Sequence, residues 1–128
     1  MKKGYMEIIS ILDKSGSMYS MVQDVIGGYN GFMKDQKKRE GETKVTLTLF
    51  NHTIVDIYNC VNVKEAPPLN SVTYSVGGTT ALLDAIGKKI DEVGNRLAKM
   101  NEDDRPEKVI FFISTDGLEN CSKEYSLD

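Results

Sequence analysis

The chain has 128 residues, enough for one domain with a sizeable core, so we expect a single domain over residues 1–128. Hydrophobic residues make up 40% of it and charged residues 27%, a composition that excludes the disordered and fibrous classes. Its 16 basic and 19 acidic residues give a net charge of -3. Because phosphate binding needs a basic excess, we expect no nucleic-acid partner.

Neither an export signal nor a membrane span is recognisable along the chain. Glu7 and Asp13 interrupt the apolar stretch after the basic start, and no stretch is long and apolar enough to span a bilayer. Cys60 and Cys121 are far apart, and without a secretory signal two such cysteines are typical of reduced thiols. We therefore expect a cytoplasmic protein of bacterial type that has no membrane partner.

The first part of the chain predicts a strand and then a helix. An apolar run over residues 6–12 ends abruptly at Asp13, which is typical of a buried strand of an α/β sheet. Residues 21–39 then change to helical spacing, with the apolar side chains on one face. Three glycines weaken this helix, and we expect them to let it approach the sheet closely. They are Gly27, Gly28 and Gly31.

The rest of the chain predicts a hairpin, a second helix and a last strand. Residues 44–50 and 53–60 have strand patterns, and Asn51 and His52 between them suit a tight turn. An irregular stretch follows over residues 61–78, and a helix is predicted over residues 81–100. A polar connection over residues 101–107 then leads to a strand over residues 109–114. This order predicts an α/β fold with a mainly parallel sheet, one antiparallel edge strand and helices on its faces.

Three polar clusters lie where such a sheet binds its ligands, at the carboxyl ends of the strands. Residues 13–17 follow the first strand, and residues 115–117 follow the last one. Residues 77–80 precede the second helix, whose start can face the same end of the sheet. We therefore expect the three clusters to converge.

The candidate ligands in these clusters are all oxygens, which hard cations prefer. They are the carboxylates of Asp13 and Asp116 and the hydroxyls of Ser15, Ser17 and Thr80. Two carboxylates with several hydroxyls leave a bound dication only partly neutralised, so it attracts an anionic group from outside. The expected metal is Mg²⁺, with Mn²⁺ and Ca²⁺ as alternatives, and the expected partner is a protein with an exposed Asp or Glu.

The same residues carry a resemblance to a known family. Asp13-x-Ser15-x-Ser17 resembles the D-x-S-x-S signature of the metal-ion-dependent adhesion site in von Willebrand factor A (integrin I-like) domains. Thr80, within Thr-Ala-Leu-Leu-Asp-Ala-Ile, and Asp116, within Ser-Thr-Asp-Gly, are similar to the family's metal-site threonine and second aspartate. Thr79 is the rival to Thr80. The resemblance covers essentially the whole chain, in the expected order.

This resemblance implies a Rossmann-like, three-layer fold and a non-enzymatic, metal-dependent protein-binding module like the stand-alone bacterial members. Ser15 and Ser17 would ligate the metal directly, Asp13 and Asp116 directly or through waters, and Thr80 once a ligand is bound. Further strands and helices usually follow the second aspartate in the family, so the resemblance also implies a missing C-terminal part. The apolar strand 109–114 would then lie at an open edge and pair with a second copy.

Other interpretations compete with this one. The hydroxyls and Asp13 are also common helix caps, and Asp116 before Gly117 suits a simple turn. A Mg²⁺-dependent phosphotransfer or phosphatase domain would use Asp13 as nucleophile, with Lys14 or Lys108 as the lysine that holds a phosphoryl group. A structural scaffold that does not need the metal is a third possibility.

Overall fold

The computed structural model describes residues 2–79 and 82–114. Two helices and a single four-stranded sheet make up the described fold, joined by short 3₁₀ turns. The elements are β1 (Lys2–Asp13), α1 (Val22–Lys37), β2 (Thr43–Phe50), β3 (Ile54–Asn62), α2 (Leu82–Lys99) and β4 (Pro106–Ser114). Neither described helix has the length and apolar content needed to cross a bilayer.

The strands lie in the order β3-β2-β1-β4. β1 is parallel to both β2 and β4, whereas β2 and β3 form an antiparallel hairpin, so the predicted mainly parallel α/β sheet with one antiparallel edge strand is confirmed. Asp13 pairs with Phe50 at the end of β2, and Leu12 pairs with Ser114 at the end of β4. The carboxyl ends of the three parallel strands therefore meet at one end of the sheet.

β1 lies at the centre and is buried on both faces. Ile8 and Leu12 belong to a core cluster that includes Tyr29 and Met33 of α1. Ile9 and Ile11 belong to a second cluster that includes Ala85 and Val93 of α2. Because alternate residues of a strand point to opposite faces, the two helices cover opposite faces of the sheet. Burial on both sides explains the near-continuous apolar run in this strand.

Two strand boundaries differ from the predicted ones. β1 begins at Lys2, before the apolar run, because Lys2 is already paired with Pro106 across the sheet. β4 likewise begins at Pro106, inside the stretch predicted to be a polar connection. A proline is tolerated as the first residue of a strand, where its missing N–H removes no hydrogen bond from the ladder. The polar connection is reduced to a short 3₁₀ turn, Glu102–Asp104.

The prediction for the glycines of α1 was wrong. Gly27, Gly28 and Gly31 all lie on the exposed side of the helix. A Cβ atom built at any of them meets no atom within 4 Å beyond its own surroundings in the helix. The close contacts of α1 are made instead by large side chains such as Tyr29 and Met33, so these glycines do not bring the helix nearer to the sheet.

Charged side chains tie α2 to the sheet. Glu7 of β1 is only 1% exposed, and its carboxylate accepts hydrogen bonds from both terminal nitrogens of Arg96, at 2.9 and 2.5 Å. Lys89, also buried, donates to Asp56 of β3 at 2.8 Å and to Glu92 at 2.9 Å. Buried charges of this kind must be paired, so these ion pairs fix how α2 lies on the sheet.

Candidate metal centre

The loop after β1 folds back on its own aspartate. Oδ1 of Asp13 accepts hydrogen bonds from the backbone N–H of Ser15 at 2.8 Å and from its hydroxyl at 2.6 Å. Oγ of Ser15 lies 3.1 Å from Oγ of Ser17. Asp13 and Ser15 are buried, and Ser17 is exposed. Three of the five predicted ligands are therefore in one chain of hydrogen bonds that runs from the core to the surface.

The hydrogen bonds show which of the two serine hydroxyls donates to the other. Its hydroxyl has one hydrogen, and the carboxylate of Asp13 accepts it. Ser17 must therefore be the donor in the contact between the two hydroxyls. Ser15 thus presents its oxygen as an acceptor toward Ser17, which is the polarity that a cation at this position requires.

Helix capping does not account for these residues. Ser15 precedes the 3₁₀ turn Gly16–Met21, but its side chain makes no capping hydrogen bond there. The residue that precedes α1 is Met21, which also provides no side-chain cap. Within the turn, Met18 is buried and anchors it, whereas Tyr19 is 80% exposed. Capping by Asp13, Ser15 and Ser17 is therefore not what the loop does.

The second predicted cluster is fastened to the first through the backbone. The N–H of Gly77 donates to the carbonyl of Lys14 at 2.8 Å, and the N–H of Gly16 donates to the carbonyl of Gly78 at 3.0 Å. Gly78 has φ +79, and a Cβ there would lie 2.5 Å from Nδ1 of His52. Only glycine fits this backbone and this space. Gly78 thus allows the close approach of the two loops.

Two side chains that the sequence did not single out as part of the site hold this arrangement. The hydroxyl of Tyr74, a buried residue, donates to the carbonyl of Asp13. The amide of Asn51 in the hairpin turn donates to the carbonyl of Gly77 at 2.9 Å. The role of Asn51 could have been predicted from the sequence, because this residue directly follows β2 and so lies at the same end of the sheet as Asp13. Nothing in the local sequence around Tyr74 indicates its contact, because its partner lies 61 residues away.

The other two predicted ligands, Thr80 and Asp116, lie outside the described residues. Thr79, the rival of Thr80, is described and exposed. Among residues 2–79 and 82–114 there is no group of three or more His, Cys, Asp or Glu side chains that could hold a metal ion. The predicted ligand set contains only two carboxylates, and Asp13 is the one that is described.

The two serine hydroxyls are spaced closely enough to bind one small dication together. Oxygens about 2.0–2.1 Å from Mg²⁺ in adjacent octahedral positions lie about 2.9 Å apart, and adjacent equatorial oxygens around a seven-coordinate Ca²⁺ lie about 2.7–3.1 Å apart. The observed separation of 3.1 Å is close to both values, so the spacing itself does not select between the two ions. The donor chemistry and this spacing therefore fit Mg²⁺.

Comparisons with known proteins gave no relative: no protein-family model matches the chain, and no curated protein matches it either.

Proposed function

We propose that this chain is a metal-dependent protein-binding module of the von Willebrand factor A type, with the Rossmann-like three-layer fold of that family. The observation that carries the proposal is the hydrogen-bonded set of oxygens on Asp13, Ser15 and Ser17. It lies at the carboxyl end of the central strand, where sheets of this kind bind their ligands.

Chain connectivity supports the inclusion of the two remaining ligands. Thr80 directly follows Thr79, and it is two residues from Gly78, whose carbonyl is bonded to Gly16. Asp116 is two residues from Ser114, which pairs with Leu12 beside Asp13. Two residues span at most about 7 Å. On this connectivity and the resemblance of their motifs, we include both residues in the proposed ligand set.

A dication held by Ser15, Ser17 and Thr80, with Asp13 and Asp116 directly or through water, would keep a net positive charge. It would supply an open coordination position for a carboxylate oxygen of a partner protein. In this proposal the chain selects a partner by an exposed Asp or Glu, and it carries out no chemical step. Its negative net charge does not oppose this selection, because the attraction is local to the cation.

The proposed site can be tested by isothermal titration with Mg²⁺, Mn²⁺ and Ca²⁺. Ser17→Ala should weaken metal binding roughly tenfold or more, because it removes one ligand at an exposed position and leaves the bonds between Asp13 and Ser15 in place. Ser20→Ala is the matched control, since Ser20 is an exposed serine of the same 3₁₀ turn that is not a proposed ligand. Asp13→Ala is a poorer test, because Asp13 is buried and also holds the loop. A wild-type protein that takes up none of the three metals would overturn the proposal.

Partner recognition needs a separate measurement. The wild-type protein, immobilised with Mg²⁺, should retain a partner that is released by a chelator and by excess free glutamate. Ser17→Ala should retain little of it, and Ser20→Ala should retain as much as wild type. Retention that chelator leaves unchanged would favour the scaffold interpretation instead.

The phosphotransfer alternative receives no specific support. Lys108 pairs with Met6 near the amino end of β1, roughly 20 Å along the sheet from Asp13. Of the two lysines that the sequence offered for holding a phosphoryl group, only Lys14 is near. The buried position of Asp13 also suits a residue that organises the loop better than one that attacks a substrate.

A further inference from the structure

We infer that Tyr74 is a positioning residue for the metal-binding loop, and that the segment 69–78 thereby sets the affinity of the site. This inference rests on the proposed function and deepens it. It concerns a side chain outside the predicted ligand set, which would act through the backbone of Asp13 without touching the metal.

Tyr74 contacts the peptide group between Asp13 and Lys14, at the start of the metal-binding loop. Its hydroxyl donates to the carbonyl of Asp13, while the next N–H, that of Lys14, donates to the carbonyl of Phe50 at 2.7 Å. The carbonyl of Lys14 in turn accepts from Gly77. Both peptide planes that flank Lys14 are therefore held, and they determine where Ser15 and its hydroxyl lie.

The hydroxyl of Tyr74 is suited to remain a donor. Its partner is a carbonyl oxygen, which can only accept a hydrogen bond. Tyr74 is 1% exposed, so water does not compete for the bond.

Tyr74 is itself presented by an ordered stretch of backbone. The N–H of Tyr74 donates to the carbonyl of Asn70 at 2.8 Å, and the side chain of Asn70 accepts from the N–H groups of Val72 and Thr73. Asn30 of α1 then clamps Leu69 with two bonds, accepting from its N–H at 2.7 Å and donating to its carbonyl at 2.8 Å. Hydrogen bonds to the adjoining residues Leu69 and Asn70 thus connect α1 to Tyr74, and Tyr74 connects this segment to Asp13.

Tyr74→Phe keeps the ring in the core and removes only the hydroxyl. The loop then loses the hydrogen bond that holds the carbonyl of Asp13. Metal binding must therefore also order this part of the loop. We expect Mg²⁺ affinity to fall about three- to tenfold, the effect of one hydrogen bond. In metal-free protein the same substitution should speed amide exchange at Lys14 and Gly77, whose N–H groups fasten the loop.

Tyr58→Phe is the matched control. The hydroxyl of Tyr58 is bonded to that of Tyr29, in the same core cluster but away from the loop. It should lower the urea midpoint about as much as Tyr74→Phe while leaving Mg²⁺ affinity and exchange at Lys14 and Gly77 unchanged. Titration calorimetry, urea denaturation and NMR-detected exchange on the three proteins give the comparison.

The outcomes distinguish failure of the positioning role of Tyr74 from failure of the proposed metal site. Weaker binding and faster exchange in Tyr74→Phe alone support the positioning role. Wild-type affinity in Tyr74→Phe overturns it and leaves the metal site intact. Equal weakening in Tyr58→Phe also overturns it, because the effect is then general destabilisation. A wild-type protein that binds no metal overturns the proposed function and this inference together.

Discussion

Gly27 lies in the middle of α1 and faces solvent, where a glycine destabilises a helix because its backbone is so free when unfolded. A Cβ atom there meets nothing within 4 Å, so an added methyl group is accommodated. We expect Gly27→Ala to raise the free energy of unfolding by about 0.5–1 kcal/mol, measured by urea denaturation.

Gly78 gives the contrasting control for the same substitution. Its φ of +79 disfavours a side chain, and the added Cβ would collide with His52. Gly78→Ala should therefore lower stability, whereas Gly27→Ala raises it. Two substitutions with the same sign would contradict the placement of one of these residues.

At the residue scale, the sequence predicted the polar loop after β1 but not the side chains that hold this loop in place. Asp13, Ser15 and Ser17 form a local pattern, and their spacing suffices to bring the side chains together. Asn30 and Tyr74 act on residues 39 and 61 positions away, so their roles depend on tertiary contacts that no local pattern contains. The helix-cap interpretation of Ser15 was wrong, because its hydroxyl donates to the carboxylate of Asp13 and makes no capping hydrogen bond to the turn.

The ion pair of Glu7 with Arg96 is the main polar link between β1 and α2. Removing only Arg96 leaves a buried carboxylate without its cation. We expect Arg96→Met to lower the free energy of unfolding by about 2–3 kcal/mol, because an uncompensated buried charge is more costly than a lost contact. Urea denaturation at neutral pH measures the change.

The double variant Glu7→Leu/Arg96→Met tests the reason for that loss. With both charges gone, no buried charge is left without its partner, and most of the lost stability should return. If the double variant is less stable than Arg96→Met alone, the ion pair contributes through its geometry and the explanation by uncompensated charge is wrong.

At the element scale, periodicity predicted the number, type and order of the helices and strands. It gave the start of β4 too late, because Pro106 and the charges around it are typical of a connection. It also gave no sign that Glu7 and Lys89 would be buried, since charged residues are rarely inside proteins. Their burial depends on partners that only the packing of α2 on the sheet supplies.

For the whole molecule, β4 is the feature with the clearest consequence. Of the four described strands it is one of the two at the ends of the sheet, and Phe111 and Ile113 on it are 37% and 41% exposed. Among the described strands β4 has a pairing partner on one side only, and an outer strand with exposed apolar side chains attracts a second chain. We expect concentration-dependent self-association, seen by light scattering or sedimentation.

Ile113→Lys should suppress that self-association, because a charge on an outer strand opposes pairing with another copy. Val55→Lys is the matched control: Val55 is also 41% exposed but lies on β3, at the other end of the sheet. Self-association that Val55→Lys suppresses and Ile113→Lys does not would place the pairing on β3, which also carries exposed apolar side chains. A wild-type protein that stays monomeric at high concentration would count against pairing through β4.

The placement of β1 between β2 and β4 also governs how the chain can be made. Leu12 meets its partner in β2 after a short stretch of chain, but its partner in β4, Ser114, is on the order of 100 residues further on. A ribosome therefore releases the most apolar strand long before its second neighbour exists. During synthesis one flank of β1 stays without hydrogen-bonding partners until β4 emerges, and an unpaired apolar strand of this kind makes a nascent chain prone to aggregate.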